Sequence, residues 1–279
     1  MSRLCRVWFE VSRSCPRDPS PQHQRTTRCL RSKPLIRTNY MSVPSMAKKP
    51  SVIHIDKDVK LRDPLLISGL PGIGLVGNIA VAHMIRKLNA EKFGEVYSPY
   101  FQDAVFSSAQ GNLSRPTIEL HACNPPENDR DLIMVYGNTQ PLTSYGQYEV
   151  SEKILDYTHT LGCKVIVSLA GLRRDYVGEH PQVFCIASDF EVMDKVLLHG
   201  VSPLQGEVYG MAGLLVGLTR LREMHGLCLL AETLGIYPVP SAARAVLEKL
   251  SAIYGFQLDL SDLAETAKEV SKSMGSLGP

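Results

Sequence analysis

The sequence predicts an α/β domain built on a mostly parallel sheet covered by helices on both faces. Three observations carry this. Short apolar runs alternate with helical patterns from about residue 50 onward; those runs are apolar throughout rather than on alternate residues; and no long linker or internal repeat interrupts residues 51–274.

The first run, Leu65-Leu66-Ile67-Ser68-Gly69, reads as a buried strand and leads through Leu70-Pro71-Gly72-Ile73-Gly74 into a helix over 75–88. That helix is apolar nearly all round, which predicts burial on more than one side. Strands are expected near 93–97, 104–106, 117–122 and 132–136, with a surface turn over 124–131. A helix over 147–161 follows, with Ser144 and Gln147 at capping-box spacing and Gly162 at its exit. The strand over 165–169 is expected to end in a turn, Ala170 to Asp175. A strand over 182–187 leads to a helix capped by Ser188 and Glu191 and stopped at Gly200. The apolar helix over 210–224 could serve either the core or an oligomer face. A buried strand over 227–231, a helix opened by Pro240 and closed by Gly255, and an amphipathic helix after Ser261 complete the chain.

The charge distribution separates residues 1–49 from the rest. That segment carries eleven Lys/Arg against two acids, leaving nineteen basic against twenty-six acidic groups in the body. A mildly acidic body gives no support to a nucleic-acid partner, because phosphate neutralisation needs a basic face. The leader has weak apolar patterning and is expected to be disordered. Its Arg-rich composition fits a transit peptide, while Met41 and Met46 offer alternative translation starts. The expected organisation is this leader, one domain over 50–274 and a flexible tail over 275–279. No apolar stretch reaches the ~20 residues of a membrane span. Cys123, Cys163, Cys185 and Cys228 form no C-x-x-C pair, so a reducing, cytoplasmic setting without disulfides or zinc is expected.

Gly72-Ile-Gly74-Leu-Val-Gly77 satisfies G-x-G-x-x-G between a strand and a helix, the setting of a dinucleotide site. The acidic partner expected after a second strand has only loose candidates, Glu91 and Glu95. The other reading is a tight strand-to-helix turn that needs glycine for backbone shape and close packing. A P-loop is excluded, because Leu75 and Val76 occupy the Lys and Ser/Thr positions. Arg173 and Arg174 lie just past a predicted strand end, where α/β sheets place ligands; a solvated loop with a local ion pair is the alternative. Asp189, Glu191 and Asp194 suit helix N-terminal charges better than a metal site. No G-x-S-x-G, H-E-x-x-H or other catalytic set is present, so neither catalytic residues nor a cofactor nor a metal is expected.

Five ordered segments taken together are more specific. The glycine turn with Gly69, Pro71, Gly72, Gly74 and Gly77 resembles the opening motif of the proteasome assembly chaperone family, in its archaeal branch. Gly137-Asn-Thr-Gln140-Pro141 with Gly146-Gln147-Tyr148 is similar to the middle signature, and Val167-Ser-Leu-Ala-Gly171-Leu to its strand-and-glycine turn. Gly206-Glu-Val-Tyr-Gly210-Met-Ala-Gly213, and the stretch from Cys228 to Ala243, resemble the later half. The resemblance implies a three-layer α/β/α sandwich of the phosphorylase/hydrolase-like kind with C-terminal helices and no enzymatic chemistry. It also implies homo-oligomerisation and a role in assembling proteasome α-type subunits or another oligomeric client, without nucleic-acid or membrane partners. Some relatives dock through a C-terminal hydrophobic-Tyr-any tail. This sequence ends Leu277-Gly278-Pro279, so client contact through another surface is expected. The fold it implies also hosts phosphorylases, which keeps a nucleotide- or nucleoside-binding enzyme using Gly72–Gly77 and Arg173-Arg174 as the alternative.

Overall fold

A computed structural model describes residues 50–107, 111–125, 128–236 and 238–273. The leader over 1–49 and the tail after 273 lie outside the described residues.

Two kinds of strand build the sheet. The central strands β2 (Leu65–Gly69), β7 (Leu132–Gly137), β8 (Val165–Arg173) and β11 (His225–Thr233) are mutually parallel and almost wholly buried. On one side lie β1 (Val52–Ile55), β3 (Glu91–Tyr97) and β6 (Ile118–Cys123), all antiparallel to their neighbours. On the other, β9 (Val183–Ala187) runs antiparallel to β11, and the two-residue β10 (Ser202–Pro203) closes the edge. Among the described residues the sheet order is β1-β3-β6-β7-β2-β8-β11-β9-β10. Its centre is thus parallel and its flanks mixed. The expected strand near 104–106 is instead β4 (Phe106–Ser107), which pairs with β5 (Leu113–Ser114) in a separate ribbon.

Alternate residues of the central strands feed two cores. Leu65, Ile67, Val167, Leu169, Leu227 and Leu229 pack under α1 (Val76–Lys87), α5 (Pro240–Tyr254) and α6 (Leu263–Ser273), with α3 (Phe190–Leu197) at the β9 end. Leu66, Ile133, Val135 and Ile166 pack under α2 (Ser144–Thr160) and α4 (Met211–Thr219) on the opposite face. This is the three-layer arrangement expected of strands that are apolar on both sides.

Three helix ends differ from the expected caps. Thr143, not Ser144, caps α2, accepting from the Gly146 N–H at 3.1 Å. Asp189, not Ser188, caps α3, accepting from the Val192 N–H at 3.0 Å, while the Ser188 hydroxyl donates to the Asp189 carboxylate. Desolvation pushes the Asp189 carboxyl up, but these bonds and His225 outweigh it and hold it down at about 2. Before α6 the Asp262 carbonyl, not Ser261, accepts from Glu265 and Thr266. The helix expected over 210–224 ends at Thr219 in a 3₁₀ turn, and Met211, Leu215, Val216 and Leu218 give it to the core.

Glycine sets how closely α1 sits on the sheet. A Cβ on Gly69 would lie 2.0 Å from the Gly77 carbonyl oxygen, and one on Gly77 would lie 1.9 Å from that of Leu169. Helix and strand backbones touch with no side chain between them. Gly72 differs: its φ of −164° is ordinary extended backbone, and the nearest atom to a Cβ there is 3.9 Å away.

The C-terminal helix is tied to α1 by a buried chain of hydrogen bonds. Arg86 donates to the Thr266 hydroxyl at 2.7 Å, and that hydroxyl lies 3.0 Å from His83 Nδ1. His83 Nε2 lies 2.7 Å from the Asp259 carbonyl. The carbonyl can only accept, so the chain suits a neutral imidazole protonated at Nε2. Around it, Lys87 pairs with Asp259 at 2.6 Å and with Asp262 at 2.9 Å, and Arg86 with Asp262 at 2.8 Å. Burial lowers the His83 pKa below its ordinary 6.5, against the opposing pull of the Asp259 carbonyl and the Asp262 carboxylate.

Two outcomes are expected. Gly77→Ala loses about 3 kcal/mol in urea unfolding, the upper end of the cost of overpacking. Gly72→Ala stays within about 0.5 kcal/mol of the parent. Because the folded state disfavours the imidazolium, the contribution of His83 is complete above pH 6.5 and is lost as pH falls below it. Thermal midpoints should therefore drop between pH 7 and pH 5, and the drop should shrink in His83→Asn, which starts less stable.

Candidate functional site

The chain leaves β2 for α1 on one face and β7 for α2 on the other, so the loops at their carboxyl ends part and leave a crevice. A cleft of about 630 Å³ lies there, on the α2/α4 side. Its floor is formed by Ser68 and by Ala170 and Leu172 of β8. Its walls are the glycine turn, the segment from Asn138 to Leu142, and the start of α4.

The glycine turn is shaped for this position. Ile73–Leu75 makes one 3₁₀ turn, with Gly74 at φ +64° and Leu75 at φ +53° before α1 begins at Val76. Leucine in left-handed backbone costs ~1–2 kcal/mol, which the surrounding packing must offset. A Cβ on Gly74 would meet the Thr233 hydroxyl at 2.8 Å, and one on Gly171 the Ile73 carbonyl at 2.3 Å. Of the fingerprint positions, Gly74 and Gly77 are thus filled by protein, and Gly72 faces open space.

Gln140 joins the walls. Its Nε2 donates to the Pro71 carbonyl, and its Oε1 accepts from the Met211 N–H at 3.2 Å. Asn78, fully buried at the start of α1, donates to the carbonyls of Gly69 at 3.2 Å and Gly137 at 2.7 Å, bridging the ends of β2 and β7. Gly210, at φ +81°, turns the chain into α4, and a Cβ on Gly213 would lie 2.2 Å from the Val208 carbonyl. Neither Gln140 nor Asn78 announces such a role by spacing, since each partner but Gly69 lies more than fifty residues away in the chain.

The proposed ligand arginines are not in this cleft. The strand expected to stop at 169 runs on to Arg173, and Arg174 donates to Glu232 at 3.2 Å and stacks on Phe184 at 5.1 Å. Gly72 and Gly77 line the cleft; Arg173 and Arg174 do not. Glu207 is the one charged residue among the described lining, and the Tyr209 hydroxyl donates to it. A cleft with a carboxylate and no cation among its described lining has nothing to balance a pyrophosphate.

Nucleophiles and metal ligands are no better placed. Burial pushes the thiols of Cys123 and Cys228 up to about 12 and that of Cys163 to about 11, and raises Cys185, so all four stay protonated. Among the described residues no three His, Cys, Asp or Glu side chains cluster as metal ligands, and no helix is long and apolar enough to cross a membrane. Asp189, Glu191 and Asp194 lie at the start of α3, where Asp189 is the cap.

Comparison with known proteins agrees with this geometry. Pyrococcus furiosus PbaB, described as an archaeal proteasome activator, superposes with a TM-score of 0.73 at 35% identity, covering 80% of this chain and 97% of that one. P. furiosus PbaA, described as an archaeal homolog of proteasome-assembly chaperone, shares the fold, with a TM-score of 0.67 at 24% identity over 80% of this chain and 94% of that one. The Methanocaldococcus jannaschii protein MJ1210 is 32% identical over 215 residues, 76% of this chain and 82% of its own length. The PAC2 family model matches residues 66–277, a span that holds all five segments converging on the cleft. The chain belongs to the PAC2 family.

Proposed function

We propose that this protein is a non-enzymatic, proteasome-assembly-chaperone-like scaffold of the cytoplasm, working as a homo-oligomer on proteasome α-type subunits or another multi-subunit client. The observation that carries the link to the proteasome is the match to PbaB, described as an archaeal proteasome activator, at 35% identity along nearly that whole chain; the assembly role is taken from the family that the five segments resemble. The protonated thiols, and a cleft lining with no cation among its described residues, support a role in binding rather than in catalysis. Self-association has support in the apolar residues left in solvent on and beside α3, where Phe190 is 87% and Leu198 85% exposed.

The alternative, a nucleotide or nucleoside enzyme, draws on the glycine turn at the strand ends. The lack of a cation among the described lining residues weighs against it.

Size exclusion with light scattering should give a mass of two or more whole protomers. The purified oligomer should retain separately expressed α-type subunits and speed formation of their ring. A monomer that neither binds these subunits nor alters their assembly overturns the proposal. In the same preparation NAD, ATP and nucleosides should leave the thermal midpoint unchanged; a saturable shift accompanied by turnover restores the enzyme reading.

A further inference from the structure

The cleft has features that the scaffold reading does not use. Ser68 and Ser168 are side by side in the β2–β8 register, and both are buried, at 3% and 1% exposure. Ser68 lines the cleft, and Ser168 lies one step deeper on the same face, below Ala170 and Leu172. Among the described residues the fully buried Ser168 hydroxyl has no hydrogen-bond partner. A buried hydroxyl without a partner forfeits about 1–3 kcal/mol, and the Ser68 hydroxyl beside it gives the base of the cleft a group for a ligand's polar atoms.

The mouth is the reverse. Ile73, Leu142 and Tyr209 border it and stand 45%, 68% and 82% exposed. Around them the lining has no Lys or Arg among the described residues, and its one carboxylate is taken up by Tyr209.

We infer that this cleft binds an extended polypeptide segment of a client that lacks acidic side chains, seated on the Ser68 hydroxyl and anchored by an apolar side chain. That hydroxyl can both donate and accept, which suits an N–H or C=O group of a peptide. The volume lies within the ~300–1,000 Å³ typical of a ligand pocket. A small molecule held inside would leave Leu142 and Tyr209 in water, whereas a chain leaving the cleft covers them. With the Glu207 carboxylate and no Lys or Arg among its described residues, the lining excludes phosphorylated or acidic segments, whose charge would be buried without a counter-ion. Gln140 acts as a positioning residue, since it sets the separation of the glycine turn from the start of α4.

The inference rests on the chaperone-like reading only for the source of the segment. Its test uses the isotope-labelled full chain, titrated with blocked octapeptides of Ala, Ser and Gln around a central Leu. Saturable shifts are expected at the backbone signals of Gly72, Gly171 and Gly210. Replacing the central Leu by Ser, or flanking it with Asp, should weaken binding roughly ten-fold. Leu142→Glu and Tyr209→Glu alter exposed side chains and should weaken it similarly with unchanged thermal midpoints, and Ser68→Val should weaken it several-fold. Failure of the Leu peptide to bind overturns the inference, as does binding that ignores all three variants. Adenosine occupying the cleft where the peptides do not overturns it in favour of a small ligand. If α-type subunits still co-purify while every peptide fails, this assignment falls and the scaffold reading stands.

Discussion

The carboxyl edge of this sheet depends on one close approach, the backbone of α1 at Gly77 lying against the carbonyl of Leu169. With no Cβ at Gly77 or Gly69, the helix settles onto β2 and β8 without an intervening layer of side chains. That depth projects the turn before the helix over the strand ends, where Ile73 fills the space a side chain on Gly171 would need. Gln140 can then reach Pro71 on one side and Met211 on the other. A shallower helix would lift the turn, and one amide could no longer span both.

The same constraint changes the meaning of the G-x-G-x-x-G pattern. In a dinucleotide fold the second glycine leaves room for pyrophosphate and the third for helix–strand packing. Here the packing role is kept at Gly77, but the room at Gly74 is taken by Thr233. Only Gly72 faces the cleft freely. Apart from Glu207 the cleft polarity comes from amides and hydroxyls, an arrangement suited to hydrogen-bonding groups that carry no negative charge.

Much of this was legible in the sequence because the central strands and their helices are long and strongly patterned. The four parallel strands, the two-sided burial of α1 and the glycines after α2 and α5 follow directly from residue order. The edges did not. β1 is four residues of alternating half-exposure and β10 only two, too short for a period to register. The caps moved by one residue because Thr143 and Asp189 stand beside other cap-competent side chains. Arg173 reads as a loop residue because Ala170, Gly171 and Leu172 resemble a turn, yet pairing with β11 carries the strand to Arg173, and Arg174 follows its end. The cleft was legible only as a set of segments. The bonds that assemble it, from Gln140 to Pro71 and Met211 and from Asn78 to Gly137, join residues whose separation leaves no local pattern.

The strand order has a consequence for how the chain reaches this state. Leu65 of β2 sits between Leu132 of β7 and Val165 of β8, so the first central strand made is flanked by two made much later. During synthesis β2 and the apolar α1 emerge with both hydrogen-bonding edges open and no sheet to receive the helix. Such long-range pairing slows folding and leaves sticky surface exposed in the interval. Until β8 is made, the nascent β2–α1 unit is itself a candidate for the cell's general folding machinery.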